Sequence, residues 1–403
     1  MKKKAVAIIS VFMVFYFFSA PVLAADTVKI AVMDPFSGNF RDIGDRYFEG
    51  IEYAVNEINN QGGLLGKKIE AVKVDTELKP DVATRKATKI MLKENVKFFT
   101  GGCGSSVAGA MSVLAEKNNL IYWTYGQEAA SLTGPKCSRN FFRAAPNTDT
   151  HAYAMAAWVA KSEYKEVACI AQDYSAGIEY MDAFKRKLKE MNPSIKIVAE
   201  LYHKLGEKDF APYVSQIIAS GAKIIYTPNW GNDLTLLVKQ AKPLGLKAKF
   251  IGAYLSDDYM IRSVANDAAV LGSIACEDYL LSIPLKANKE FIAGFYKAKG
   301  FYPSWLRGKS YTATMFWAKA VKKAGSFDVD AVINAWEGLT YEGIAGPWYM
   351  RPCDHQAQVP MWMAELVENN EFFKHAHVGE PTMIPAKDIE VPCDKTGCPG
   401  FKK

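Results

Sequence analysis

One pattern governs what this chain can become: short apolar runs alternate with amphipathic stretches along most of its 403 residues. Residues 28–33 form an apolar run readable as a buried strand. Phe48, Ile51, Ala54, Val55 and Ile58 then recur at three- and four-residue steps, which is one face of a helix. Gln61-Gly62-Gly63 ends that helix, because glycine accepts the left-handed backbone of a C-cap. Further strands are predicted over 69–74, 96–100 and 120–123, with helices over 82–95 and 107–117. The rhythm restarts after Pro146, with helices over 150–161, 178–190, 210–220 and 232–244. Strands over 166–171, 195–201, 223–227 and 249–252 lie between and after them. Such alternation predicts α/β architecture, with parallel sheets carrying helices on both faces. Two runs joined near Pro146 predict two similar lobes, alike in rhythm but not in residues.

The last third breaks the rhythm. Helical segments over 287–299, 307–324 and 328–338 lie together, and a strand pattern returns over 359–366. From Glu368 the chain is polar and contains Pro and Cys, and an irregular tail is expected. A content of 49% hydrophobic and 23% charged residues excludes a disordered, collagen-like or coiled-coil chain.

Residues 1–25 read as a secretory signal: Lys2, Lys3 and Lys4 precede an apolar stretch, and Val22-Leu23-Ala24 offers small residues for cleavage near Ala24/Ala25. An uncleaved anchor is the alternative. No Cys lies near the cut, so a lipoprotein anchor is not expected, and no later stretch is apolar and long enough to span a membrane. Removing the leader removes three Lys and no acid, so the formal charge falls from +6 to +3. That charge is too weak and scattered to argue for nucleic acid.

Seven Cys remain, and export makes disulfides plausible. An odd count leaves at least one thiol unpaired or pairs it between chains. Cys393 could close a small loop with Cys398 or pair with Cys353; Cys103 and Cys137 are a further candidate bridge. The absence of CxxC, with only His375-x-His377 as a His spacing, argues against zinc.

The strongest local signal is Phe98-Phe-Thr-Gly-Gly-Cys-Gly-Ser-Ser-Val107, an apolar strand entering a Gly-rich turn with Ser105 where a helix would begin. That arrangement offers backbone N–H groups and a hydroxyl to an anionic or polar ligand. Equally, the glycines permit a tight turn and Ser105 caps the helix. The third Gly of GxGxxG is missing and no GxxxxGK[ST] occurs, so no nucleotide cofactor is implied. GxSxG, HExxH and a Ser/His/Asp ordering are also absent, so catalysis is not expected. His151 reads as a polar residue near a helix start, and Asp257-Asp258 as a helix cap or a ligand contact. Aromatic residues punctuate four strand ends, at Tyr122-Trp123-x-Tyr125, Tyr174, Trp230 and Tyr254. Such residues wrap a small organic molecule or cap their own lobe's core.

Taken together, these pieces resemble the substrate-binding proteins of ABC importers, in the branched-chain amino acid (leucine/isoleucine/valine-binding) class. The similarity runs through Val28-Lys-Ile-Ala-Val-x-x-Pro-Phe-Ser-Gly38, Gly44-Asp-Arg-Tyr-Phe-Glu-Gly50 and Ala54-Val-Asn-Glu-Ile-Asn-x-Gln-Gly-Gly-Leu-Leu-Gly66. It continues through 101–108, Asn140-Phe-Phe-Arg-Ala-Ala-Pro146, Lys208-Asp-Phe and Gln240-Ala-x-x-Leu-Gly-Leu246, covering about Asp26 to Glu368. The resemblance implies a type I periplasmic binding fold: two doubly wound parallel-sheet lobes joined by a three-crossover hinge, with the ligand clamped between them. Crossovers near Ala145, Asp278 and Met350 would give lobe one as 26–146 plus 278–350 and lobe two as 147–277 plus 351–390, with 391–403 as a C-terminal tail.

The family's pocket positions fall on Ser105 with its neighbour Ser106, Gly126, Trp230 and the Asp173-Tyr174 loop. Two positions depart. Glu128 stands where the family has a threonine holding both ends of an α-amino acid, and Tyr254 stands where an acid pairs with the ligand's amino group. A free Glu128 could receive a cationic or hydroxyl-rich ligand, and Tyr125, Tyr174, Trp230 and Tyr254 could sandwich an aromatic or amide compound. Arg41 is a candidate counter-charge or a solvated surface residue. The implied partners are a small-molecule ligand and ABC permease subunits with their ATPases, reached by a monomeric periplasmic protein. A ligand-sensing receptor domain is the alternative.

Overall fold

The computed structural model describes residues 27–264 and 270–401; the leader expected over 1–25 lies outside them. The described residues build two large sheets and one small one. The first is wholly parallel, with strand order β2-β1-β3-β4-β5, from β1 (Thr27–Asp34), β2 (Lys68–Asp75), β3 (Phe98–Gly101), β4 (Ile121–Thr124) and β5 (Phe141–Arg143). Continuous apolar runs suit strands covered on both faces, and Ile30–Met33 is fully buried. Helices α1 (Arg41–Asn60), α2 (Pro80–Glu94) and α3 (Ser105–Lys117) connect these strands.

From α4 (Thr148–Lys161) the chain builds the second lobe. Its parallel strands are β6 (Glu166–Gln172), β7 (Lys196–His203), β8 (Ile224–Thr227), β9 (Lys249–Gly252) and β10 (Ile274–Glu277). Helices α5 (Ser175–Met191), α6 (Ala211–Ser220), α7 (Gly231–Ala241) and the short α8 (Asp258–Ser263) intervene. The chain then returns to the first lobe with α9 (Lys286–Lys299), α10 (Trp305–Ala324) and α11 (Val329–Trp336). There α10 packs along α1, and Trp317 stacks on Trp123 with centroids 5.3 Å apart.

A small antiparallel sheet follows, from β11 (Thr340–Gly343), β12 (Gly346–Met350) and β13 (Ala357–Gln358). Met350 pairs with Ala357 inside it, so the chain reaches the second sheet only at β14 (Met361–Val367). β14 runs antiparallel to β10, and β15 (His377–Val378) and β16 (Thr382–Ile384) run antiparallel to β14. The first and third passages touch: the Arg143 amide donates to the His355 carbonyl at 2.9 Å, and Gln356 Nε2 donates to the Ala145 carbonyl at 2.7 Å.

The disulfides correct one expectation. Cys137 pairs with Cys398, and Cys353 with Cys393, pinning the tail to the hinge side of the first lobe. Cys103, Cys169 and Cys276 are free and buried, so the Cys103–Cys137 bridge does not form. Cys103 lines the cavity with its amide on Asp34, and Cys137 is taken by Cys398. Among the described residues no helix is long and apolar enough to cross a membrane.

Candidate functional site

Parallel strands present their carboxyl ends, and the helices that follow, to one edge of a sheet. Here both sheets turn that edge toward the same crevice. Gly102–Ser105 follow β3, Gly126 and Glu128 follow β4, and Tyr174, Trp230 and Tyr254 follow β6, β8 and β9. All border one cavity of about 70 Å³.

The first lobe supplies a polar floor. Asp34, at the end of β1, is fully buried and accepts hydrogen bonds from the Gly102 amide at 2.9 Å, the Cys103 amide at 2.8 Å and the Tyr125 hydroxyl. Burial outweighs these donors and pushes its pKa up to about 6. The bonds fix the Gly-rich turn. At Gly102 a Cβ would stand 2.3 Å from the Tyr125 ring and 2.6 Å from the Tyr47 ring, so only glycine fits. Then α3 starts, and the first amides of a helix have no partners within it. Ser105 Oγ accepts from the Ala129 amide at 3.2 Å, which leaves its proton for another acceptor.

The second lobe supplies an aromatic wall. Trp230 Nε1 donates to the Tyr174 hydroxyl at 3.0 Å, and both residues precede helices, α7 and α5, in extended backbone. Across the cleft Phe40 meets Trp230 at 5.1 Å, and Trp305 meets Tyr254 at 5.6 Å between centroids. Arg46 of α1 bonds Asp257 before α8 at 3.2 Å, and Glu179 of α5 accepts the Ala130 amide at 2.7 Å. These contacts hold the two lobes closed over the cavity.

Behind Glu128 lies a buried ionic cluster. Lys309 Nζ, on α10, is 2.8 Å from Glu128 Oε1, 3.2 Å from Asp278 Oδ1 and 3.4 Å from Glu277 Oε2. Burial opposes its charge, but Asp278, Glu128 and Glu277 outweigh burial and hold the ammonium well above its ordinary range. Glu128 Oε2 accepts from the Tyr180 hydroxyl, and from the Tyr254 hydroxyl at 3.0 Å. Burial works against this carboxylate too, yet His151, Lys309 and Tyr180 keep its pKa near 2. His151 Nδ1 lies 3.2 Å from the Tyr180 hydroxyl, and burial lowers its pKa to about 4 against the pull of Glu128. At neutral pH, with His151 uncharged, Lys309 is the cation hydrogen-bonded to Glu128, and the buried guanidinium of Arg143 also lies within its field. Burial raises Glu277 well above its normal range, despite Lys309.

The expectations divide accordingly. Ser105, Gly126, Glu128, Tyr174, Trp230 and Tyr254 share the cavity, whereas Ser106 and Asp173 are exposed and outside it. Tyr122, Trp123 and Tyr125 are buried in the first lobe's core. Arg41 is solvated and pairs with Asp45 at 3.0 Å. His151 is not a simple helix-start residue but is fully buried beside Glu128. Asp257 is both cap and lining residue, accepting from the Tyr259 and Met260 amides at 2.9 and 3.1 Å. Sequence reasoning missed Asp34, Tyr47, Tyr180, Trp305 and Lys309. Asp34 alone carried a signal, an acid ending an apolar strand. Among the described residues no group of three or more His, Cys, Asp or Glu is arranged to hold a metal ion.

The family model described as periplasmic binding protein matches residues 27–371. The chain is 29% identical over 363 residues to Leu/Ile/Val-binding protein homolog 4 of Brucella abortus (strain 2308), covering 85% of each chain. It is 28% identical over 343 residues to the leucine-, isoleucine-, valine-, threonine-, and alanine-binding protein of Pseudomonas aeruginosa, covering 82% of this chain and 87% of that one. Among solved structures, the closed conformation of the leucine-, isoleucine-, valine-, threonine-, and alanine-binding protein from Brucella ovis superposes with a TM-score of 0.83. Identity there is 26%, over 94% of this chain and 100% of that one.

Proposed function

Because the chain belongs to the periplasmic binding protein family, we propose that it is the exported solute-binding component of an ABC importer of the branched-chain amino acid class. It traps a small organic solute between its lobes and delivers it to permease subunits driven by their ATPases. The lobes of this clamp are 26–146 with 278–350, and 147–277 with 351–390, the stretch before β14 staying paired with β12 at the hinge. The leader over 1–25 directs it to the periplasm, where it works as a monomer. The observation that carries this reading is a cavity bounded by strand ends of both lobes, with a helix start on one side and aromatic rings on the other. A carboxylate or similar acceptor suits Ser105 and the first turn of α3. The body of the solute suits Tyr174, Trp230 and Tyr254.

The test is calorimetry and thermal melting of the purified protein against branched-chain amino acids, aromatic acids, amides and polyamines. A binder should raise the melting temperature by mass action, with burial of apolar surface showing as a negative heat-capacity change. Scattering should show a more compact particle with that binder present. A panel with no binder and superimposable scattering curves sinks the reading.

A further inference from the structure

Which charge the cavity accepts is decided by how its own charges are already matched. Among the described lining residues, the carboxylates are Glu128 and Asp257. Glu128 gives Oε1 to Lys309 and Oε2 to two tyrosine hydroxyls. Asp257 gives Oδ1 to two helix amides and Oδ2 to Arg46 at 3.2 Å and Trp305 Nε1 at 3.3 Å. Each acid thus has a cation from the protein and donors on both oxygens. Neither cation is easily displaced: Lys309 is fully buried and also held by Glu277 and Asp278, and Arg46 is also paired with Asp42 at 2.7 Å.

We propose that Lys309 and Arg46 are built-in counter-cations that occupy the places a ligand's ammonium would need, so that the site takes a carboxylate solute without an α-amino group. This rests on the solute-binding reading above and narrows it. An α-ammonium closed into this cavity would meet carboxylates already neutralised, and a buried cation without a partner is strongly disfavoured. A carboxylate meets the Ser105 proton and the first turn of α3. Lys309 is therefore a specificity residue that acts through Glu128 without touching the solute. The sequence expectation that Glu128 receives a cationic ligand is replaced by the opposite preference.

The experiment titrates matched pairs by calorimetry: 4-methylpentanoate against L-leucine, and 3-phenylpropanoate against L-phenylalanine. The des-amino member should bind about tenfold tighter or more in at least one pair, with the amino acid tighter in neither. An amino acid that binds tighter overturns the inference and leaves the solute-binding reading standing. Binding of an amide alone does the same, whereas silence across every class removes both. Lys309→Met frees Glu128 and should move the ratio toward the amino acid by about tenfold; an unmoved ratio overturns the proposal. Should that variant not fold, Glu128→Gln with Lys309→Met removes both charges and should keep the wild-type preference; a shift toward the amino acid overturns the proposal.

Discussion

The two lobes share a winding rule but meet the cavity with different chemistry. The first is a five-stranded, all-parallel sheet, and it brings backbone amides, a serine and the Glu128–Lys309 pair. The second extends five parallel strands with three antiparallel ones added after the last passage, and it brings aromatic rings from the ends of β6, β8 and β9. In the proposed clamp, fixed dipoles would discriminate charge and rings shape, dividing the recognition between the lobes. Neither half is complete alone. The hydroxyls of Tyr180 and Tyr254, from the second lobe, bond Glu128 of the first across the cleft.

The largest expected effect concerns the charge side. Lys309→Met leaves three buried acids without their cation, and removing one partner of a buried pair costs roughly 3–5 kcal/mol. Urea denaturation of the ligand-free variant measures it. A loss below about 1 kcal/mol would mean the acids take up protons with little strain, and that the first lobe's charge chemistry is dispensable.

Asp34 sharpens the same side through pH. Its pKa is pushed up from the ordinary 3.8 to about 6, because burial outweighs its three donors. The folded carboxyl therefore holds its proton more tightly than the unfolded one. Its contribution is full below the unfolded value, falls as pH rises from 3.8, and is lost above about 6. Asp34→Asn removes the titration while keeping an acceptor for Gly102 and Cys103. The stability of the variant minus that of the wild type should then grow by about 2–3 kcal/mol between about pH 4 and pH 7. Taking the difference cancels the opposite trend from His151 and the parallel one from Asp278. A difference independent of pH would place the Asp34 carboxyl at its ordinary value.

How much of this was readable beforehand follows from where the information sits. β1 and β6 announce themselves because strands covered on both faces are continuous apolar runs. β10 hides because only four residues pair before Asp278 begins the second passage, and the hairpin β11–β12 carries no alternation with helices. Ser105, Trp230 and Tyr254 were legible as strand-end residues. Lys309 was not: every residue of α10 from Trp305 to Thr314 is buried, so no polar face marks this lysine as unusual. Its partners lie 181 and 32 positions away, beyond any local pattern. The Cys137–Cys398 bridge spans 261 positions and is equally silent in spacing.

On the aromatic side, Trp230→Ala should weaken the solute found in the binding screen by about 2 kcal/mol or more, since a partly buried anchor ring loses its stacking and its hold on Tyr174. The melting temperature without solute should barely move, because Trp230 lies at the lip of the second lobe and outside its core. Retained affinity would take the ring wall out of recognition and leave the first lobe to do both jobs.

Ser105→Ala is the smallest and most selective probe. The hydroxyl accepts from Ala129, so its loss leaves one amide without that partner and removes one donor facing the cavity. A carboxylate solute should weaken by about 1–2 kcal/mol, because the lost hydrogen bond runs to a charge. The corresponding primary amide should lose less, since its neutral carbonyl gains less from the same donor. That contrast separates two roles for one residue. Equal losses for acid and amide would mean that Ser105 only shapes the loop at Ala129. A larger loss for the acid assigns the first lobe the reading of charge, and with it the division of labour between the lobes.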